Sequence, residues 1–199
     1  MSMDPASTAL LLCDMQNGFL HPEGSYARGG SASPDFAPLV PRLKAVRDAV
    51  RHAGGWIAST HFTIPTGKNG EPFISDHMKR LRPFLKKGDF EPGGFDARLV
   101  DELAPSDLAV EKVAFSAFYM SRLEYVLRRA GVTTLLLGGV VTNGGVASTL
   151  RDAHVRDFHT VLLADGCAAF KPDVHEATVK SLSSITQVMT CAEAAALFL

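Results

Sequence analysis

The sequence predicts a three-layer α/β/α domain built on a six-stranded parallel sheet. Two observations carry that expectation. Apolar runs such as Thr8-Ala9-Leu10-Leu11-Leu12-Cys13 and Leu135-Leu136-Leu137-Gly138-Gly139-Val140 lack polar alternation, as strands buried on both faces do. Along the chain they alternate with stretches of helical period, which is the pattern of a parallel sheet covered on both sides. Right-handed crossovers then bring the carboxyl end of every strand to one rim, where open α/β sheets hold their ligands.

The elements follow in order. Residues 8–13 read as a buried strand stopped by Asp14-Met15-Gln16-Asn17, and residues 18–33, with four glycines, as a loop. Residues 35–53 place Leu39, Leu43, Val46 and Val50 on one face with Lys44, Arg47 and Arg51 opposite, an amphipathic helix closed by Gly54-Gly55. A second strand over 56–60 delivers His61 and Phe62 to the rim. Residues 63–94 are irregular and locally basic (His77, Lys79, Arg80, Arg82, Lys86, Lys87), which suits either a lid or a solvated surface loop. A short helix is expected over 95–103 and a third strand over 108–113, containing Glu111 and Lys112. A helix over 121–130 ends at Gly131.

The fourth strand then runs through a glycine turn, with Asn143 as an N-cap, into a helix whose Val146, Leu150, Ala153 and, less perfectly, Val155 share a side. Such a helix start leaves backbone N–H groups that favour a carboxylate or a developing oxyanion. A fifth strand over 159–164, a helix over 172–185 opened by Pro172, a sixth strand over 187–190 and a helix over 192–198 complete the chain.

Composition narrows the function classes. At 199 residues the chain is long enough for one domain, 1–199, with a proper core; it is 46% hydrophobic and 21% charged, as globular proteins are. A net charge of −1 gives no reason to expect nucleic acid or an anionic membrane as partner. Apolar runs are far shorter than a bilayer span, and Met1-Ser2-Met3-Asp4-Pro5 lacks a basic segment followed by an apolar one, so a cytoplasmic location is expected. Cys13, Cys167 and Cys191 are odd in number and without metal-type spacing, which suits reduced thiols, and Cys13 and Cys167 read as small core residues. His61 has no second ligand at metal spacing. Neither a metal nor a cofactor is expected.

Asp14, His61, Lys112 and the Gly144-Gly145 turn share the rim. Each has an ordinary reading, as a capping carboxylate, a structural imidazole, a solvated ammonium and a plain strand-to-helix connection. Together they resemble the isochorismatase-like hydrolases, or cysteine hydrolases. The residues that carry the likeness are Leu12-Cys13-Asp14-Met15-Gln16-Asn17-Gly18-Phe19, Thr60-His61-Phe62, Glu111-Lys112-Val113-Ala114-Phe115-Ser116-Ala117-Phe118, Gly139-Val140-Val141-Thr142-Asn143-Gly144-Gly145-Val146, Ser148-Thr149, Asp152-Ala153 and Ala164-Asp165. The resemblance implies strand order 3-2-1-4-5-6, in which Lys112 lies on an edge strand and must reach the centre by its long stem or by the loop after it. It implies Asp14 and Lys112 as an acid–base pair and a nucleophilic cysteine at position 145. It further implies a cis peptide at Val140–Val141 that turns the N–H groups of Val141 and Gly145 toward an oxyanion. A homodimer or homotetramer is also expected from it.

Position 145 is glycine, which closes the thioester route there. Three readings stand. The first is a cysteine-independent hydrolase of a small molecule using Asp14 as general acid or base with Lys112, an enol ether being one substrate class. The second is an amidohydrolase for an amide or ureide, inactivated by Cys→Gly at 145; Thr142-Asn143 resembles that branch. The third is a non-catalytic binding or assembly protein. Cys167, after the neighbouring strand, is a further nucleophile candidate whose ordinary reading is a packed thiol. Gln16, Phe19, His61, Phe62, Phe115, Phe118, Tyr119 and Thr142 are the expected substrate contacts, the aromatics walling a small planar molecule.

Overall fold

The structure, a computed structural model, describes residues 3–199; Met1 and Ser2, which open the segment read for a targeting signal, lie outside it. All pairings in its six-stranded sheet are parallel and the order is β3-β2-β1-β4-β5-β6. The strands are β1 (Thr8–Cys13), β2 (Trp56–Phe62), β3 (Leu108–Lys112), β4 (Thr134–Val140), β5 (His159–Ala168) and β6 (Gln187–Met189). The helices are α1 (Asn17–Leu20), α2 (Ser25–Arg28), α3 (Leu39–His52), α4 (Asp76–Leu81), α5 (Leu123–Arg129), α6 (Ala147–His154), α7 (Pro172–Leu182) and α8 (Cys191–Ala196). None of the described helices is long and apolar enough to cross a membrane.

The sheet separates two cores, and β1 serves both. Leu10 and Leu12 face a cluster with Leu39, Leu43, Val46 and Val50 of α3, while Ala9, Leu11 and Cys13 face one with Leu123 and Leu127 of α5 and Leu150 and Ala153 of α6. Every residue of β1 is buried, as a central strand covered on both sides requires. The capping box between Thr190 and Glu193 starts α8.

Several elements depart from expectation for definable reasons. No helix forms over 95–103, because the backbone there pairs with the segment after β1: Asn17 and Gly18 donate to the carbonyls of Arg98 and Asp96, and Val100 donates to that of Met15. A helix would need those same groups for itself. The long helix begins at Leu39 rather than 35, since Pro38 disfavours helical geometry at Ala37. Two short helices occupy the stretch 18–33, and α4 lies within 63–94. β2 runs two residues further than expected, to Phe62. β5 runs on to Ala168, through a register irregularity opposite Leu137 and Gly139. Asn143 does not cap: Val141 holds the cap position, the entry to α6 is a π-helical turn over Thr142–Val146, and Asn143 is exposed within it. Val155 lies past the end of α6 and is exposed.

Candidate active site

Asp14 leaves β1 with φ of 52°, a left-handed turn that aims its carboxyl across the end of the sheet. One oxygen, Oδ1, accepts from the Thr60 hydroxyl at 2.9 Å; the other lies 2.7 Å from Lys112 Nζ. Both charged side chains are buried. Lys112 sits in edge strand β3, level with Phe62, and its stem crosses β2 so that Nζ lies 5.6 Å from the centre of the Phe62 ring. The long stem is thus how an edge lysine reaches the centre. Nζ also donates to the carbonyls of Ala114 at 2.9 Å and Phe115 at 3.2 Å, so the loop after β3 curls around the ammonium. That loop is anchored on α6, where Ser116 donates to Asp152 and Ala117 N–H donates to Thr149 Oγ1 at 2.9 Å.

Burial pushes the Asp14 carboxyl above the ordinary aspartate range; Lys112 and the Thr60 hydroxyl recover part of that shift by favouring the charged form. Gly145 completes the arrangement. A Cβ at this position would stand 3.1 Å from Asp14 Oδ2, 3.4 Å from the Val140 carbonyl and 3.5 Å from Lys112 Nζ. The spot beside the pair is therefore the one toward which a side chain at 145 would point. The preceding Val140–Val141 peptide is cis.

These groups floor a cavity of about 260 Å³. Of the expected contacts, Phe19, Phe62, Phe115 and Val141 line it, with Asp14, Lys112 and Gly145. Others are drawn elsewhere. His61 points to the opposite face of β2, held by Ser59 Oγ at 2.7 Å and the Ala97 carbonyl at 2.8 Å, and faces a separate groove. Gln16 is buried as a bracket, its amide bonding both the N–H and the carbonyl of Phe62. Phe118 packs on Phe158 in the core, Tyr119 is exposed, Val140 is core, and Thr142 bonds His175 Nδ1 at 2.9 Å. Met78 and Arg82 line the cavity without having been expected there. The only hint of them in the sequence is that Arg82 belongs to the basic stretch.

No cysteine lines this cavity. Cys167 is buried against the Leu137 carbonyl, and burial pushes its thiol well above the ordinary value; Cys13 is raised for the same reason, and Cys191 is pushed up to about 12. None of the three offers a thiolate, and Cys167 is the packed thiol of its ordinary reading. Among the described residues, no group of three or more His, Cys, Asp or Glu is placed to hold a metal ion.

Residues 8–194 match the isochorismatase domain. The chain belongs to the isochorismatase family of hydrolases. Curated relatives of this family member include ureidoacrylate amidohydrolase RutB of Methylobacterium radiotolerans, 32% identical over 92% of this chain and 76% of the relative. The enzyme of the same name from Pseudomonas savastanoi pv. phaseolicola is 33% identical over 87% and 75%. Among solved structures, a cysteine hydrolase from Pseudomonas syringae pv. phaseolicola superposes with a TM-score of 0.84 at 24% identity, covering 100% of this chain and 95% of that one. N-carbamoylsarcosine amidase from Thermoplasma acidophilum superposes at 0.72 with 23% identity, over 93% and 96%. At these identities the structural likeness carries the isochorismatase-like fold.

Proposed function

We propose that this isochorismatase-family hydrolase acts on a small molecule without a cysteine nucleophile, Asp14 moving the proton and Lys112 holding the carboxyl in place. The observation that carries the reading is the buried Asp14–Lys112 pair, 2.7 Å apart on the floor of a small cavity, with glycine at 145, where a Cβ would stand 3.1 Å from Asp14 Oδ2. A carboxyl raised by burial keeps its proton to a higher pH than an ordinary aspartate, as a general acid requires. With an enol ether, Asp14 protonates the vinyl carbon and water adds to the resulting oxocarbenium carbon, returning a proton to the Asp14 carboxylate. The hemiketal then breaks its C–O bond to release an alcohol and a ketone, so that one water is consumed overall.

A second reading is favoured by the relatives named as amidohydrolases: a pocket built for an amide or ureide, in which the nucleophile's position holds glycine. One pair of variants separates the two. Under the first reading the unaltered chain hydrolyses small enol ethers, and Asp14→Asn lowers kcat/KM by about 10²–10⁴-fold, the usual contribution of a positioned acid. Turnover that survives Asp14→Asn overturns that role. Under the second reading the unaltered chain is inert, and Gly145→Cys creates ammonia release from ureides and amides.

A further inference from the structure

The cavity has one charge that the Asp14–Lys112 pair does not account for. Arg82, at the end of α4, lines the same cavity as Asp14 and Lys112, and no acidic side chain lies within 4 Å of its guanidinium among the described residues. Its Nε donates to the Tyr26 hydroxyl at 2.7 Å, and Nη1 meets only the Met78 thioether, a weak acceptor, at 3.5 Å. Tyr26 is a firm handle: it is buried, stacks on Phe170 at 5.6 Å with planes 10° apart, and meets the edge of Phe84. The guanidinium is therefore oriented but not neutralised.

Lys112 offers no such opening. Its charge is balanced by Asp14, and its three ammonium protons go to Asp14, Ala114 and Phe115. The remaining walls, Phe19, Phe62, Met78 and Phe115 among them, are apolar and offer the guanidinium no countercharge. With Asp14 counted as the carboxylate that pairs with Lys112, the lining carries a net single positive charge.

We infer that Arg82 is the specificity-determining residue of this site and that the substrate is a small monocarboxylate. Its carboxylate pairs with the Arg82 guanidinium, its apolar body lies along the aromatic walls, and its scissile bond faces Asp14. A dianion such as a phosphate monoester would leave one charge unbalanced in a cavity of about 260 Å³. This deepens the proposed hydrolase reading and rests on it for the scissile bond, but not for the binding.

The test is an equilibrium one. Benzoate, its neutral isostere benzamide and phenyl phosphate are titrated calorimetrically into the unaltered chain, Arg82→Gln and Arg82→Lys. Benzoate is expected to bind the unaltered chain about tenfold or more tighter than benzamide, as a charge-assisted hydrogen bond implies, and tighter than phenyl phosphate. Arg82→Gln should erase the preference and Arg82→Lys keep part of it. Equal binding of benzoate and benzamide, no benzoate binding at millimolar concentration, tighter binding of phenyl phosphate, or a preference that persists in Arg82→Gln would each overturn the inference. The outcomes also separate the two proposals. A benzoate preference that needs Arg82, in a chain that turns over no substrate, sinks the hydrolase reading alone. Turnover with KM unchanged in Arg82→Gln sinks this one alone.

Discussion

His175 reaches the site only through Thr142, the first residue of the π-helical turn that carries Gly145. Burial holds its pKa below the ordinary histidine value of 6.5, with Glu176 and Asp35 pulling the other way. The folded chain thus prefers the neutral ring. That preference contributes stability above the ordinary value and is lost as the pH falls through the lower, folded one. Melting temperature should drop across that acid window, and His175→Gln should flatten the drop; an unchanged slope would show that another group sets it. Asp14, Lys112 and Gly145 were legible in the sequence because each follows a recognisable strand onto the same rim. His61 was misplaced for a reason the sequence also holds. Successive residues of a strand face opposite sides, so once Thr60 and Phe62 turn toward Asp14 and the cavity, Ser59 and His61 must turn away.

At the scale of elements, β4 is shaped by what passes next to it. Gly139 has φ of 129°, and a Cβ there would lie 2.0 Å from the Cys13 carbonyl oxygen of β1. Only glycine allows the two strands to sit this close at the edge of the site. Gly139→Ala is expected to cost about 2–4 kcal/mol, combining overpacking with a backbone that alanine avoids; a urea midpoint equal to the parent's would contradict it. The failed helix over 95–103 has the opposite lesson. Its residues suit a helix locally, but the strand-to-helix segment Met15–Gly18 claims their backbone groups from 78 to 85 positions away along the chain, the separations of Gly18 from Asp96 and of Met15 from Val100. Long-range pairing of this kind leaves no periodic trace, and neither does the path by which α4 and Arg82 arrive over the cavity.

Across the whole molecule, the Asp14–Lys112 pair joins central β1 to edge β3 over the top of β2. Lys112→Met would leave the Asp14 carboxylate buried without its ammonium, and breaking a buried pair from one side costs about 3–5 kcal/mol. The sign with pH follows. With the ammonium gone, burial is opposed only by the lesser pull of the Thr60 hydroxyl and His61, and it keeps the Asp14 carboxyl above the ordinary value of 3.8. A raised carboxyl stabilises the folded chain below the ordinary value and withdraws that stability as the pH climbs through the folded one. The deficit of Lys112→Met against the parent should therefore shrink toward acid pH in urea titrations, and a deficit constant with pH would rule the carboxylate out as its cause. The left-handed main chain at Asp14 bears on how any such experiment is designed. Aspartate and asparagine are the side chains that tolerate this conformation best after glycine, so exchanging one carboxyl oxygen for an amide nitrogen leaves the bend undisturbed. An alanine in its place would mix a conformational penalty into the chemical one, and a dead enzyme would no longer say which of the two had killed it.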